Sequence, residues 1–138
     1  MLWFANYHYV FVHFPIALII MAGIAELIMA IRKNTALDNT VIFLLFSAVI
    51  FIIPTIATGL SLEEAGRVSE QNHFNLEWHE FFAFTTLSLA LATIVLRFWL
   101  QKHLIYFVSL ILLVVSVIIT AHFGGLMAFG PLDYFPSF

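Results

Sequence analysis

Histidine is the residue on which chemistry within this chain can rest, because cysteine is absent and acidic groups are sparse inside the apolar runs. Three histidines, His13, His79 and His122, fall inside or at the end of long hydrophobic stretches. An ionisable ring in hydrocarbon is costly unless it turns towards a partner, so each is a candidate functional residue. A neutral imidazole nitrogen can ligate a metal, haem iron included, or carry a proton. Without cysteine there is no thiolate site, iron–sulfur cluster or covalent c-type haem attachment in this chain, so nitrogen or oxygen must hold any metal.

The elements that position these rings follow from composition. With 63% hydrophobic and 9% charged residues, the chain is expected to be an integral membrane protein rather than a soluble domain. Four apolar segments, about residues 9–31, 41–62, 76–96 and 104–123, are each long enough to cross a hydrocarbon core about 30 Å thick as a helix. They predict one all-α domain over 1–138, an up-down-up-down four-helix bundle in the lipid bilayer. Four of the five basic residues, Arg32, Lys33, Arg97 and Lys102, flank two short loops. The positive-inside rule makes those loops cytoplasmic, which puts both termini on the outer, periplasmic side of a bacterial inner membrane. The first run lacks the basic start and cleavage pattern of a signal peptide and is expected to stay in the membrane. No basic patch suits nucleic acid.

In this topology His13 lies about one turn inside the first segment, His79 one turn inside the third and His122 in the last turn of the fourth, all in the outer leaflet. The first and third segments face each other diagonally across such a bundle. Two histidines at one depth on diagonal helices, His13 and His79, are placed to take the two axial positions of a haem b iron. His79, Ala83, Thr86 and Ala90 share a helix face with small residues below the histidine, leaving room for a planar group. Phe11, Phe14, Phe81, Phe82, Phe84 and Phe123 are candidate walls. His8 and His73 are expected near outer water and His103 near the inner surface; His122 is either an alternative haem ligand or, with His8 or His73, part of a second site.

Proline and glycine add local expectations. Pro15 either starts the first helix or frees the carbonyl near Phe11 and bends it. Thr55 and Thr58 stand where hydroxyls rescue a carbonyl released by Pro54. Gly124 and Gly125 are expected to cap the fourth helix. Glu26 lies roughly 20 Å deeper than His13 and is expected to reach the cytoplasmic headgroups, with an internal proton role as the other reading.

At His13-Phe14-Pro15-Ile16-Ala17-Leu18, Thr58-Gly59 and His122-Phe123-Gly124-Gly125-Leu126, the chain resembles the bacterial membrane-protein family known as domain of unknown function 2231. The resemblance covers nearly the whole chain. It implies a four-helix membrane protein with a histidine in each of the places taken by His13, His79 and His122. It also implies a redox neighbourhood, since relatives occur fused to or beside cytochrome-c-like modules. The leading expectation is therefore a small membrane b-type cytochrome passing electrons between quinol and an outer acceptor, such as a c-type cytochrome or a small oxidant. A homodimer sharing haem ligands stays open. The alternatives are a non-haem zinc, copper or iron site made by His13, His79 and His122 with Glu77 or Glu80, a proton-coupled transporter, and an accessory subunit. No internal repeat of the transporter kind is visible.

Overall fold

The structure is a computed structural model and describes residues 5–66, 69, 72–100 and 103–129. Lys102 and the tail from residue 130 lie outside the described residues. A short helix, α1 (His8–Phe11), runs directly into α2 (His13–Arg32); α3 (Asp38–Glu64), α4 (His73–Trp99) and α5 (Leu104–Phe129) follow. Joined, α1 and α2 make one of four helical segments long and apolar enough to cross a membrane; α3, α4 and α5 are the others. Each neighbour in sequence packs on the next, and α2 closes the ring against α5, which leaves α2 and α4 diagonal. The expected four-helix arrangement is thus present.

Small residues bring the helices together. Ala22 on α2, Ala48 on α3 and Ala90 on α4 are fully buried, with Ile19, Leu45, Leu113 and Tyr106 interlocked between them. The outward faces carry Ile31, Phe43, Ile50, Ile111 and Leu112, all exposed, as lipid contact demands. Lipid is as apolar as leucine, so packing and interhelical hydrogen bonds supply the association. Thr93 and Ser109 share a 2.7 Å bond, and Thr86 and Ser116 a 2.8 Å bond, one heptad further along the α4–α5 seam. Two rungs a heptad apart set the register of α5 against α4. That register carries Thr120 to the level of His79.

The helix ends have local causes. Lys33 adopts a left-handed conformation (φ 50°, ψ 44°) and its amide closes on Met29 O, ending α2. Gly66, also left-handed at φ 64°, follows α3. Gly124 and Gly125 do not cap α5, which continues to Phe129; both glycines are helical. Around Pro54 the threonine hydroxyls bond to Phe51 O and Pro54 O. The carbonyl four residues before the proline belongs to Ile50, so the expected rescue falls on its neighbours.

Glu26 corrects its expectation. It does not extend to the headgroups but is buried, 6% exposed, on the inward stripe with Ile19, Ala22 and Met29. Arg97 in the last turn of α4 is buried too, at 4%, and pairs with Glu26 and with Asp38 at the start of α3. Arg97 therefore belongs to the bundle interior rather than to a loop. Residues three and four apart lie on one helix face, and Thr86, Ala90, Thr93 and Arg97 follow that spacing inward.

Candidate functional site

The bundle end where α1 and α4 begin and α3 and α5 finish holds a cleft of about 620 Å³. Two histidines meet in it. His8 and His79 are both half-buried, with ring centroids 6.3 Å apart and planes at 81°. One ring comes from the first membrane segment and the other from the third, the diagonal pair.

The same device holds both rings. His8 Nδ1 donates to Thr55 O at 2.9 Å, and His79 Nδ1 donates to Thr120 O at 2.8 Å. A carbonyl can only accept, so Nδ1 carries the hydrogen and Nε2 of the neutral ring carries the lone pair. Among the described residues neither Nε2 takes part in a hydrogen bond. Four residues beyond each of those carbonyls stands a glycine, Gly59 and Gly124, against which the ring rests. A Cβ at Gly59 would meet His8 Cε1 at 3.1 Å, and one at Gly124 would meet His79 Cε1 at 3.1 Å. Each threonine also back-bonds along its helix, Thr55 to Phe51 O at 2.7 Å and Thr120 to Ser116 O at 2.9 Å. A Thr-x-x-x-Gly cradle for a histidine thus occurs twice, a local repeat.

The other candidate histidines sit differently. His13 is exposed and its Nδ1 donates to Tyr9 O at 2.7 Å, within its own segment. It borders the cleft, but its polar contact is to the backbone beside the break at Val12, three residues after which α2 contains Pro15. The bond gives a side-chain donor to a carbonyl where the helix is interrupted. His122 is exposed, lies against Phe123 and does not line the cleft. His73 is exposed and 3.4 Å from Glu77, and His103 is exposed at the other end of the bundle. The structure therefore brings His79 together with His8, which the sequence reading had placed near water, and not with His13 and His122.

Helical geometry explains the exchange. His8, Pro15, Ala22 and Met29 are spaced by heptads, and the last three are buried, so His8 shares their inward stripe. His13 follows His8 by five residues, a rotation of about 140°. It continues the exposed stripe of Ala17, Met21, Ile24 and Ile28. His122 is two residues from Thr120 and from Gly124, about 200° from each, on the outward stripe of Ile111, Val115 and Ile118. The heptad from His8 was the available signal.

The walls also differ from expectation. Of the six candidate phenylalanines only Phe84 lines the cleft; the walls are mainly Val12, Ile16, Ile52, Ile56, Leu76 and Val117. Phe82 and Phe123 stack with Trp78, and Phe14 stacks on Phe51 at 4.5 Å. Ala83 and Thr86 do leave room beneath His79, since both border the cleft.

The chemistry of the donor set narrows what fits. Among the described residues no three histidine or acidic side chains converge as a metal-holding group. His13 and His79 border the cleft and His122 does not, and Glu77 stands 3.4 Å from His73. Two imidazoles alone suit a group that brings its remaining donors with it. With metal–nitrogen bonds of about 2.0 Å and roughly 1.1 Å from nitrogen to ring centre, two opposed imidazoles stand about 6 Å apart. The pair matches that spacing, and the cleft is within the range of about 300–1,000 Å³ typical of cofactor sites.

Four apolar helices in a closed ring, with a two-histidine cleft at one end, define a small polytopic membrane bundle. The chain belongs to the family described as predicted membrane protein (DUF2231), which matches residues 5–131. No curated protein and no solved structure matches the chain.

Proposed function

We propose that the protein is a small membrane cytochrome of the b type, with haem held between His8 and His79. The observation that carries this reading is the pair of rings 6.3 Å apart, each with Nδ1 tied to a carbonyl and a glycine at its flank. A bound haem would supply one-electron transfer. His8 and His79 would hold the haem through Nε2, the ring nitrogen each leaves free of hydrogen bonds among the described residues. Thr55 and Thr120 hold the tautomer and strengthen the rings as ligands, the usual task of a second shell around a metal-binding histidine. Ile52, Ile56 and Val117 exclude water from the cleft.

The redox partners we assign are a quinol from the bilayer and an outer acceptor, a c-type cytochrome or a small oxidant, in a bacterial inner membrane. This assignment follows the redox neighbourhood that the family resemblance implies.

The test is a visible spectrum of the detergent-purified protein, supplied with haem, before and after dithionite. The expected result is a Soret band that shifts on reduction, with resolved low-spin bands. His8→Ala and His79→Ala should each abolish the low-spin spectrum, whereas His13→Ala and His122→Ala should retain it. A wild-type protein that binds no haem, or a spectrum unchanged in both His8→Ala and His79→Ala, would overturn the assignment.

A further inference from the structure

His8 and His79, which meet in the cleft, are 71 positions apart, and so are Glu26 and Arg97, which form an ion pair towards the other end of the bundle. The same step carries buried Pro15, Ile19 and Ala22 of α2 onto buried Thr86, Ala90 and Thr93 of α4. From α3 to α5 the constant step is 65, which takes Thr55 to Thr120 and Gly59 to Gly124. It carries buried Val41, Leu45, Ala48 and Ile52 onto buried Tyr106, Leu110, Leu113 and Val117. The cleft obeys both steps. Every α3 residue that lines it has its equivalent on α5 lining it too, and among those described on the first membrane segment Ile16 alone lacks one on α4.

Matching buried stripes would follow from any two amphipathic helices. Contact between equivalent residues at both ends of one helix pair has a stricter meaning, because a rotation that exchanges α2 with α4 must then bring each residue onto its own partner. The axis passes between His8 and His79 and, roughly 27 Å further along, between Glu26 and Arg97. Since α2 and α4 run in the same direction, it lies along the bundle, as between parallel repeats of membrane proteins. We infer that the chain is two equivalent helical hairpins, residues 8–64 and 73–129, related by an approximate two-fold axis, and that the cleft is a two-fold site for a planar metal-bearing ligand with two equivalent faces. The ligand's identity rests on the haem reading, whereas the axis stands on the helices alone. A position on such an axis must suit its own copy. Two equal rings do so by sharing one ligand; two equal charges would repel, and Glu26 and Arg97 carry opposite ones. A ligand bridging the rings by hydrogen bonds of about 2.8 Å on either side would hold the ring centres about 8 Å apart before its own width is added, against the 6.3 Å observed. A metal between two nitrogens fits. Because the cradles match, His8 and His79 are equal donors, and neither is a weaker ring for an external ligand such as carbon monoxide to displace. The site therefore suits electron transfer rather than capture of a small molecule at the metal.

The axis is tested in the haem-free full chain by exchanging side chains between equivalent core positions. Ile19→Ala and Ala90→Ile should each lower the melting temperature in detergent by about 5 °C or more. The double variant moves the isoleucine across the axis and should recover at least half of the summed loss; a smaller recovery would overturn the axis. Ile52→Val with Val117→Ile makes the same comparison with a smaller perturbation and decides it where the first set does not fold. Equality of the donors is tested with haem. His8→Gly and His79→Gly should each lose the low-spin spectrum, and added imidazole should restore it in both at concentrations within about threefold of each other. The reduced parent protein should not bind carbon monoxide. A larger difference between the two variants, or carbon monoxide binding by the parent, would overturn the two-fold site. A parent that takes up no haem would overturn the ligand and the proposed function together, and the exchange variants would still decide the axis.

Discussion

Replacing Gly59 or Gly124 by alanine separates the site from the fold, because two opposed effects act at each position. Alanine is favoured over glycine in a helix interior by about 1 kcal/mol. Against this, the new Cβ would stand 3.1 Å from Cε1 of His8 or His79, and overpacking of this kind costs about 1–3 kcal/mol when the neighbour cannot yield. Here the neighbour is a ring beside an open cleft, so it can swing by a few tenths of an ångström. The movement is paid by the Nδ1 hydrogen bonds, now 2.9 and 2.8 Å. Lengthened beyond about 3.2 Å, each loses on the order of 1 kcal/mol. Stability of the haem-free protein should therefore stay within about 1 kcal/mol of the parent, as the gain in helix propensity offsets the crowding. Haem affinity should fall roughly tenfold per substitution, because about 1.4 kcal/mol of ligand positioning is lost. Thermal unfolding in detergent measures the first quantity and haem titration followed at the Soret band the second. Unaltered haem affinity in both Gly59→Ala and Gly124→Ala would refute the idea that the glycines seat the rings.

Other consequences are open to direct measurement. Arg97→Leu leaves Glu26 buried without its cation and should cost about 3–5 kcal/mol, whereas Glu26→Gln, which keeps a hydrogen-bonding side chain, should cost much less; equal melting temperatures would contradict the assigned network. Gly66→Ala meets no atoms within 4 Å but must adopt φ 64°, so thermal unfolding should register a loss of about 1–2 kcal/mol from backbone strain alone. A double-mutant cycle with Thr93→Val and Ser109→Ala should yield a coupling of about 0.6 kcal/mol, and none if the 2.7 Å bond does not join α4 to α5.

Four apolar runs separated by short polar connections determine by themselves that the chain forms membrane helices, because unsatisfied backbone in lipid is too costly for any open alternative. The same reasoning put a small face beneath His79, and Ala83 and Thr86 do border the cleft there. His8, expected near outer water, turns into the bundle instead, because depth along a helix does not give rotation about it. Five residues separate His8 from His13, and about 140° of turn sends one ring into the bundle and leaves the other against its own backbone.

Glu26 and Arg97 escaped for a different reason. Each lies close enough to a helix end to reach water, and sequence distance gives no sign that residues 71 positions apart form an ion pair. Nor does a Thr-x-x-x-Gly spacing reveal that it holds a ring, because the histidine it receives comes from another helix. Hydropathy is a property of each segment and was legible without partners. The facing of a side chain and the identity of its neighbour depend on helix rotation and register, which the α4–α5 hydrogen bonds and the packing of small residues decide only when the bundle has closed.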